Sequence, residues 1–169
     1  VLSEFDRSRA YERAAAEAYR EFSAGLPDEF VGESEFLVWE REGPVHFKDG
    51  VIALSEGAWL LRRFAGARQG YEIRFRGWLS VALSSTKWFD VGSSAITLFR
   101  REDEVRIVSK IALDRPPSAV AVFAIGPKVL VLLDGRPIWA LDAAEFGLDE
   151  GIKLGGAVRI ESIRVRDRK

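Results

Sequence analysis

Between Ser118 and Leu141 the chain carries two apolar runs, Ala119 to Ile125 and Val129 to Leu133, followed by Ile138-Trp139-Ala140-Leu141. β-Branched and aromatic residues dominate, and the breaks, Gly126-Pro127 and Asp134-Gly135, are turn-forming pairs. Runs of strand length with scarcely a polar residue predict strands buried on both faces, as in the middle of a two-sheet β-sandwich.

The N-terminal pattern is different. From about Ser3 to Ala24 the apolar residues Phe5, Tyr11, Ala15, Ala18, Tyr19 and Phe22 recur at spacings of three and four, with arginines and glutamates between them. That period predicts an amphipathic helix. Ser3 is its expected N-cap, with Asp6 three residues on, Gly25 its C′ residue and Pro27 its stop. A lone helix of this length is marginal in water, so its stripe must dock. The expected arrangement is a helix over residues 1–27 docking on a β-sandwich over residues 36–169. Docking on a second copy, a homo-oligomer through the helix, is the other use of the stripe.

Short strands follow a polar connector that runs from Pro27 to Ser34. They are predicted at Phe36–Glu40, Val45–Phe47, Val51–Leu54, Ala58–Phe64, Tyr71–Arg76, Trp78–Ser84, Ile96–Arg100 and Val105–Lys110. Asp49-Gly50 is a strong hairpin signal, and Arg101-Glu102-Asp103 joins a second pair. Gly66–Gly70 reads as a loop, Gly77 as a break between strands, and Ser85–Ser94 as an irregular stretch. After Leu141 a looser acidic section, Asp142–Glu150, leads to Ile152–Leu154 and Val158–Val165. The apolar parity flips between Ile160 and Ile163, which implies a β-bulge at Glu161-Ser162. With no helical pattern between strands, the fold class is mainly β: an antiparallel two-sheet β-sandwich of jelly-roll type with one N-terminal helix.

Composition narrows the chemistry. The 169 residues suit one domain. Lys+Arg 25 against Asp+Glu 26 gives a net charge of −1, so no global charge favours nucleic acid as a partner. No apolar run approaches the roughly 20 residues that span a bilayer, so membrane insertion is not expected. The first residues are charged rather than signal-like, which leaves the compartment undecided. There is no Cys, and with His46 the single histidine, neither a zinc site nor a thiol nucleophile is expected. No metal and no organic cofactor is expected. Met and Asn are also missing, and Gln69 is the one glutamine, a depletion of heat-labile residues that points to a thermophilic source.

The order of features resembles a known family. A Trp-containing strand precedes a short strand and an Asp-Gly turn (Trp39 through Phe47-Lys48-Asp49-Gly50-Val51). Tyr71-Glu72-Ile73-Arg74-Phe75-Arg76 follows, then Gly92-Ser93-Ser94 before an alternating strand. Val129–Leu133 leads through Asp134-Gly135 into Ile138, and the chain closes on Gly155-Gly156-Ala157-Val158-Arg159-Ile160-Glu161-Ser162-Ile163-Arg164-Val165. From Phe36 to Arg166 this resembles the concanavalin A-like jelly-roll superfamily, in particular laminin-G-like and 3-keto-disaccharide-hydrolase-related domains. The resemblance implies binding of a saccharide or a protein surface, or glycan hydrolysis, at the cell surface or outside it. It rests on strand-and-turn motifs and so speaks to fold. Two departures matter. A legume-type lectin holds calcium and sugar with Asn and Asp, and this chain has no Asn. The Glu-x-Asp-x-x-Glu strand of related β-glucan hydrolases is missing too; the nearest acidic cluster, Glu102-Asp103-Glu104, falls in a hairpin turn.

The candidate site lies on the polar faces of the middle strands. Alternation places Glu72, Arg74 and Arg76 opposite Tyr71, Ile73 and Phe75, and Trp78, Ser80, Ala82 and Ser84 opposite Leu79, Val81 and Leu83. Arg100 and Arg106 are expected to extend this patch. Such a face suits a sugar by stacking and hydrogen bonding, or an anionic glycan by bidentate arginine. Trp88 and Asp90, in the stretch before Ser94, are further binding candidates, with Trp88-Phe89 read as an exposed anchor or a plug over the core. Trp39, Trp59 and Trp139, among apolar neighbours, are expected in the core. The favoured reading is a non-catalytic binding module using Glu72, Arg74, Arg76, Trp78, Trp88, Asp90 and Arg106. The alternative is a glycoside hydrolase with Glu72 as its acid, although the ordinary role of Glu72 is as a cross-strand partner for an arginine.

Overall fold

The structure is a computed structural model that describes residues 9–26, 39–63, 68–145 and 151–167. The expected N-cap at Ser3 with Asp6, Phe5 and the Tyr11 side chain of the stripe, and Pro27 lie outside the described residues. So do the connector to Ser34, the start of the first strand at Phe36, the loop glycine Gly66 and residues 146–150. Among the described residues one helix, α1 (Arg9–Ala24), precedes twelve strands: β1 (Glu40–Glu42), β2 (Val45–Lys48), β3 (Val51–Leu54), β4 (Trp59–Arg63), β5 (Arg68–Ala82), β6 (Lys87–Val91), β7 (Ala95–Arg101), β8 (Val105–Ala112), β9 (Ala119–Ile125), β10 (Lys128–Leu133), β11 (Arg136–Asp142) and β12 (Gly151–Asp167). The helix is too short and too polar to cross a membrane.

Two long strands organise the rest. β5 and β12 pair antiparallel from Ala82↔Lys153 to Arg68↔Asp167, and every described pairing in the sheet is antiparallel. Their two halves have different neighbours. Near Leu79 and Leu154 they are flanked by β6-β7-β8 on one side and by β4-β1 on the other. Near Ile73 and Ile160 the flanks are β9-β10-β11 and β3-β2. The chain therefore makes two seven-stranded layers that share β5 and β12, the jelly-roll sandwich expected from the sequence.

The change of layer happens at glycines. Gly77 (φ 110) and Gly156 (φ 108) hold conformations open to glycine, and a Cβ on Gly156 would stand 2.1 Å from the Trp78 carbonyl oxygen. Gly77 is thus a bend within one strand rather than a break between two. Likewise the predicted strands at Ile152–Leu154 and Val158–Val165 are continuous in β12. Glu161 is the extra residue of a bulge, since Ile160 pairs with Phe75 and Ser162 with Arg74.

The main core lies between the layers. Ile73, Phe75, Leu79, Val81, Phe89, Ile96, Leu98, Val120, Val122, Val131, Leu141, Leu154, Ile160 and Ile163 are buried there. Phe89 of β6 meets Trp139 of β11 edge to face, 5.9 Å between centroids, and the Trp139 indole N–H donates to Ser109 Oγ at 3.1 Å. These contacts cross from one layer to the other. The irregular stretch expected from Ser85 to Ser94 contains β6 instead, with Phe89 and Val91 inward and Trp88 and Asp90 outward.

The opposite faces of β9, β10 and β11 explain why those runs carry no polar alternation. Ala121, Phe123, Leu130, Leu132 and Ala140 point away from the main core and form a second cluster with Ala15, Phe22 and Leu26. Phe22 stacks on Phe123 at 4.5 Å, and alanines on both sides let helix and sheet approach. The second buried face is thus covered by helix and not by a second sheet. Gly25 differs from its expected role: its φ is not positive, and the Arg166 guanidinium of β12 fills the space beside it.

Candidate functional site

The outer faces of the two layers have different fates. In the second layer, Glu72 of β5 and Arg164 of β12 are register partners beneath α1. Glu72 is 2% exposed and accepts hydrogen bonds from the Tyr19 hydroxyl and from Arg164 Nη2. Burial, then the bond to Glu72, pushes the Tyr19 hydroxyl up to about 12. The sequence placed Glu72 on a polar, ligand-facing surface; instead the helix covers it and both its oxygens are occupied. Arg74 is exposed on the same outer face, near enough to Tyr19 to act on its charge. Arg76 is exposed beyond them and pairs with Glu161 at 2.9 Å.

Among the described residues, the outer face of the first layer carries no helix. Strand register sets its side chains in ladders across the sheet. One runs Ile107, Phe99, Trp88, Ala82, Lys153, Leu61 and Glu40, from β8 to β1. The next runs Lys110, Thr97, Asp90, Ser80, Gly155, Trp59 and Glu42. Bulky rings therefore stand on both sides of a floor of small residues: Trp88 stacked on Phe99 on one side, Trp59 on the other, Ala82, Ser80 and Gly155 between. Trp88 and Phe99 are 5.3 Å apart at an interplanar angle of 16°. The dip left by the small residues is a cleft of about 780 Å³. Ser84, Ser85, Thr86 and the turn at Ala144-Glu145 close one end of it.

Cations sit over both rings of this cleft. The Arg101 guanidinium lies 5.4 Å from the Trp88 ring centre, and Lys153 Nζ lies 5.1 Å from that of Trp59. Lys87 Nζ donates to the Glu145 carbonyl at 2.7 Å, and Arg100 Nη2 pairs with the Glu145 carboxylate at 3.4 Å, which pins the turn to the sheet rim. Asp90 is half-buried on the outer face; burial raises its carboxyl pKa, opposed by a hydrogen bond from Ser80. Its Oδ1 is buried without a hydrogen-bond partner among the described residues.

Of the residues singled out from sequence, Trp78, Trp88 and Asp90 share this outer face, and Trp88 lines the cleft. Trp78 is 40% exposed nearer the bend, in register with Ala157. Arg106 does not extend the patch: it is exposed on β8, 3.7 Å from Glu104 and in register with Arg100, whose head turns to Glu145. Sequence reasoning missed Trp59, assigned to the core, and Lys153 and Arg101. Trp39 and Trp139 are buried as expected. Among the described residues no group of three His, Cys, Asp or Glu stands close enough to hold a metal ion, and His46 is exposed on β2.

The comparisons with known proteins bear on the fold. No protein-family model matches the chain, and no curated protein matches it by sequence. Solved structures match it by shape. The carbohydrate-binding module CBM66 from Bacillus subtilis aligns with a TM-score of 0.54 at 14% identity, over 75% of this chain and 93% of that one. The carbohydrate recognition domain of Emp46p aligns at 0.59 and 9% identity, over 86% and 97%. A prokaryotic β-1,3-1,4-glucanase (lichenase) derived from a mouse hindgut metagenome aligns at 0.54 and 10%, over 77% and 93%. The chain has the concanavalin A-like jelly-roll fold. Its structural neighbours include both binding modules and glycoside hydrolases.

Proposed function

We propose that the protein is a non-catalytic saccharide-binding module that takes a glycan chain along the outer face of the first layer, between Trp88 and Trp59. One observation carries this reading: two indole rings flank a floor of Ala82, Ser80 and Gly155, leaving a cleft of about 780 Å³ on the one outer face that α1 does not cover. Sugar rings present C–H faces that stack on indoles and hydroxyls that bond to Ser80, Asp90 and the serines of the end loop. Structural neighbours that include carbohydrate-binding modules support it.

Hydrolysis finds less support. Glu72, the acid that the sequence offers first, is held by Arg164 and Tyr19 under the helix. Among the described residues that line the cleft, the carboxylate is Glu145, which is paired with Arg100. Among the described residues of the helix stripe, Phe22 is used within the chain, 1% exposed and stacked on Phe123.

The test is glycan-array screening followed by titration calorimetry with the best ligand. Trp59→Ala and Trp88→Ala should each weaken binding about tenfold, equivalent to about 1.4 kcal/mol. A double variant that stays folded and binds as tightly as the parent protein overturns the proposal.

A further inference from the structure

We infer that the glycan this cleft takes is anionic, a uronate or sulfate ester of a saccharide, seated between Arg101 over Trp88 and Lys153 over Trp59. The inference rests on the saccharide-binding reading and adds the charge of the ligand to it.

The charge balance of the cleft carries the argument. Its described lining holds three cations, Lys87, Arg101 and Lys153, against one carboxylate, Glu145. That carboxylate already faces Arg100 at 3.4 Å. The protein as a whole has a net charge of −1, so a cationic cleft is a local arrangement and not a sample of a basic surface. Among the described residues of the two ladders, the acidic groups are Asp90, whose hydroxyl partner is Ser80, and Glu40 and Glu42 on β1 beyond Leu61 and Trp59. Glu40 and Glu42 lie at the far edge, so Arg101 and Lys153 are the charges that stand over the two rings.

The positions of those two cations matter as much as their number. Each lies over an indole, 5.4 Å for Arg101 and 5.1 Å for Lys153. A neutral sugar that stacks on either ring must displace the cation and offers no charge in return. An acidic sugar does both jobs at once: its ring takes the indole face while its carboxylate or sulfate receives the displaced cation. For a guanidinium that contact is bidentate. The same residues that bind a charged glycan therefore disfavour its neutral counterpart, which is specificity through competition for one ring face.

Pairs of glycans that differ only in charge test this directly. Oligogalacturonate and its methyl ester, and a sulfated galactan and its desulfated form, are titrated with the full chain at 20 mM and 500 mM NaCl, where the Debye length is about 21 Å and about 4 Å. The charged member of at least one pair should bind ten times more tightly at low salt, with the gap narrowing at high salt. Arg101→Gln and Lys153→Gln should lower that affinity about tenfold each and leave the melting temperature in place. Trp59→Ala should weaken it as well. Equal or tighter binding of the neutral members overturns the inference while the saccharide-binding reading stands. Poly-glutamate binding as tightly as the charged glycans also overturns it, since charge without a sugar ring would then suffice. If no glycan of either kind binds to protein with a native melting transition, both readings fall.

Discussion

Gly25 and Arg166 share one volume: a Cβ on Gly25 would stand 2.6 Å from the Arg166 guanidinium carbon. Arg166 Nη1 donates to the carbonyls of Glu21 at 2.7 Å and Phe22 at 3.2 Å, so a cation from the last strand caps the C-terminal turn of α1. Position and sign both favour it, because helix C-termini leave carbonyls unpaired and carry partial negative charge. Gly25→Ala should push the guanidinium aside and Arg166→Ala should remove it, each at a cost of about 1 kcal/mol. The two losses are one loss, so the double variant should cost little more than either single. Urea unfolding of all four proteins gives the answer, and full additivity would show that Gly25 and Arg166 do not act through each other.

The other tie between helix and sheet is polar and titrates. Tyr19 donates to Glu72, and the pKa of its hydroxyl rises from 10.0 to about 12, chiefly by burial. A folded pKa above the unfolded one means that the fold favours the neutral hydroxyl. Its contribution is complete below pH 10 and is lost as pH rises through 12. Tyr19→Phe should therefore flatten the decline of stability across that alkaline window relative to the parent protein. Denaturant midpoints taken through the window check this, and parallel curves for the two proteins would remove Tyr19 as the source.

Tyr71 offers the opposite case. Its ring is 3% exposed in the main core, and its hydroxyl is buried with no hydrogen-bond partner among the described residues. Burial alone drives its pKa upward. Removing an unsatisfied buried hydroxyl while keeping the ring leaves the packing intact. Tyr71→Phe should thus be neutral or stabilise the protein by about 1 kcal/mol, a gain that thermal melts would register as a higher transition temperature. A loss above 1 kcal/mol would mean that the hydroxyl has a partner after all.

What the sequence reveals about this fold follows the range of the physics involved. The hairpins at Asp49-Gly50 and Asp134-Gly135 are local, and both pairs hold the positive φ angles that their side chains favour: 53 and 78, 50 and 76. The bulge at Glu161 shows as a parity flip for the same reason. Gly77 was misleading because a glycine with strands on both sides reads as a break. Only the uninterrupted pairing with β12 makes it a bend. Glu72 was placed on the correct face, but a helix fifty residues upstream decides what lies over that face. Trp59 stands in a strand with Leu60 inward and Leu61 outward, so apolar residues occupy both faces and alternation cannot separate cleft from core.

The bends at Gly77 and Gly156 predict a sharp sensitivity. A Cβ on Gly156 would lie 2.1 Å from the Trp78 carbonyl oxygen, and one on Gly77 would lie 2.5 Å from that of Ala157. In both places the obstacle is backbone of the paired strand, which cannot swing aside as a side chain would. Gly156→Ala should cost about 3 kcal/mol or more, from clash and from a φ of 108 that alanine rarely adopts. Measured by chemical denaturation, a change below 1 kcal/mol would show that the long pair turns between layers without these glycines.

Gly155, one residue earlier, separates stability from function. Its φ is not positive, and an added Cβ would meet the Ala58 carbonyl oxygen at 3.4 Å and Ser80 Cβ at 3.9 Å, which are ordinary contacts. A side chain is therefore tolerable to the fold, yet in register it stands between Ser80 and Trp59 on the floor of the cleft. Gly155→Ala should leave both melting temperature and glycan affinity nearly unchanged, whereas Gly155→Leu should keep the fold within about 1 kcal/mol and weaken glycan binding at least tenfold by filling the cleft. Calorimetric titration beside a thermal melt distinguishes the outcomes. If Gly155→Leu melts as the parent does and still binds its glycan undiminished, the ligand does not lie on this floor, and the search moves to the exposed face of β8 around Ile107, which is 61% exposed.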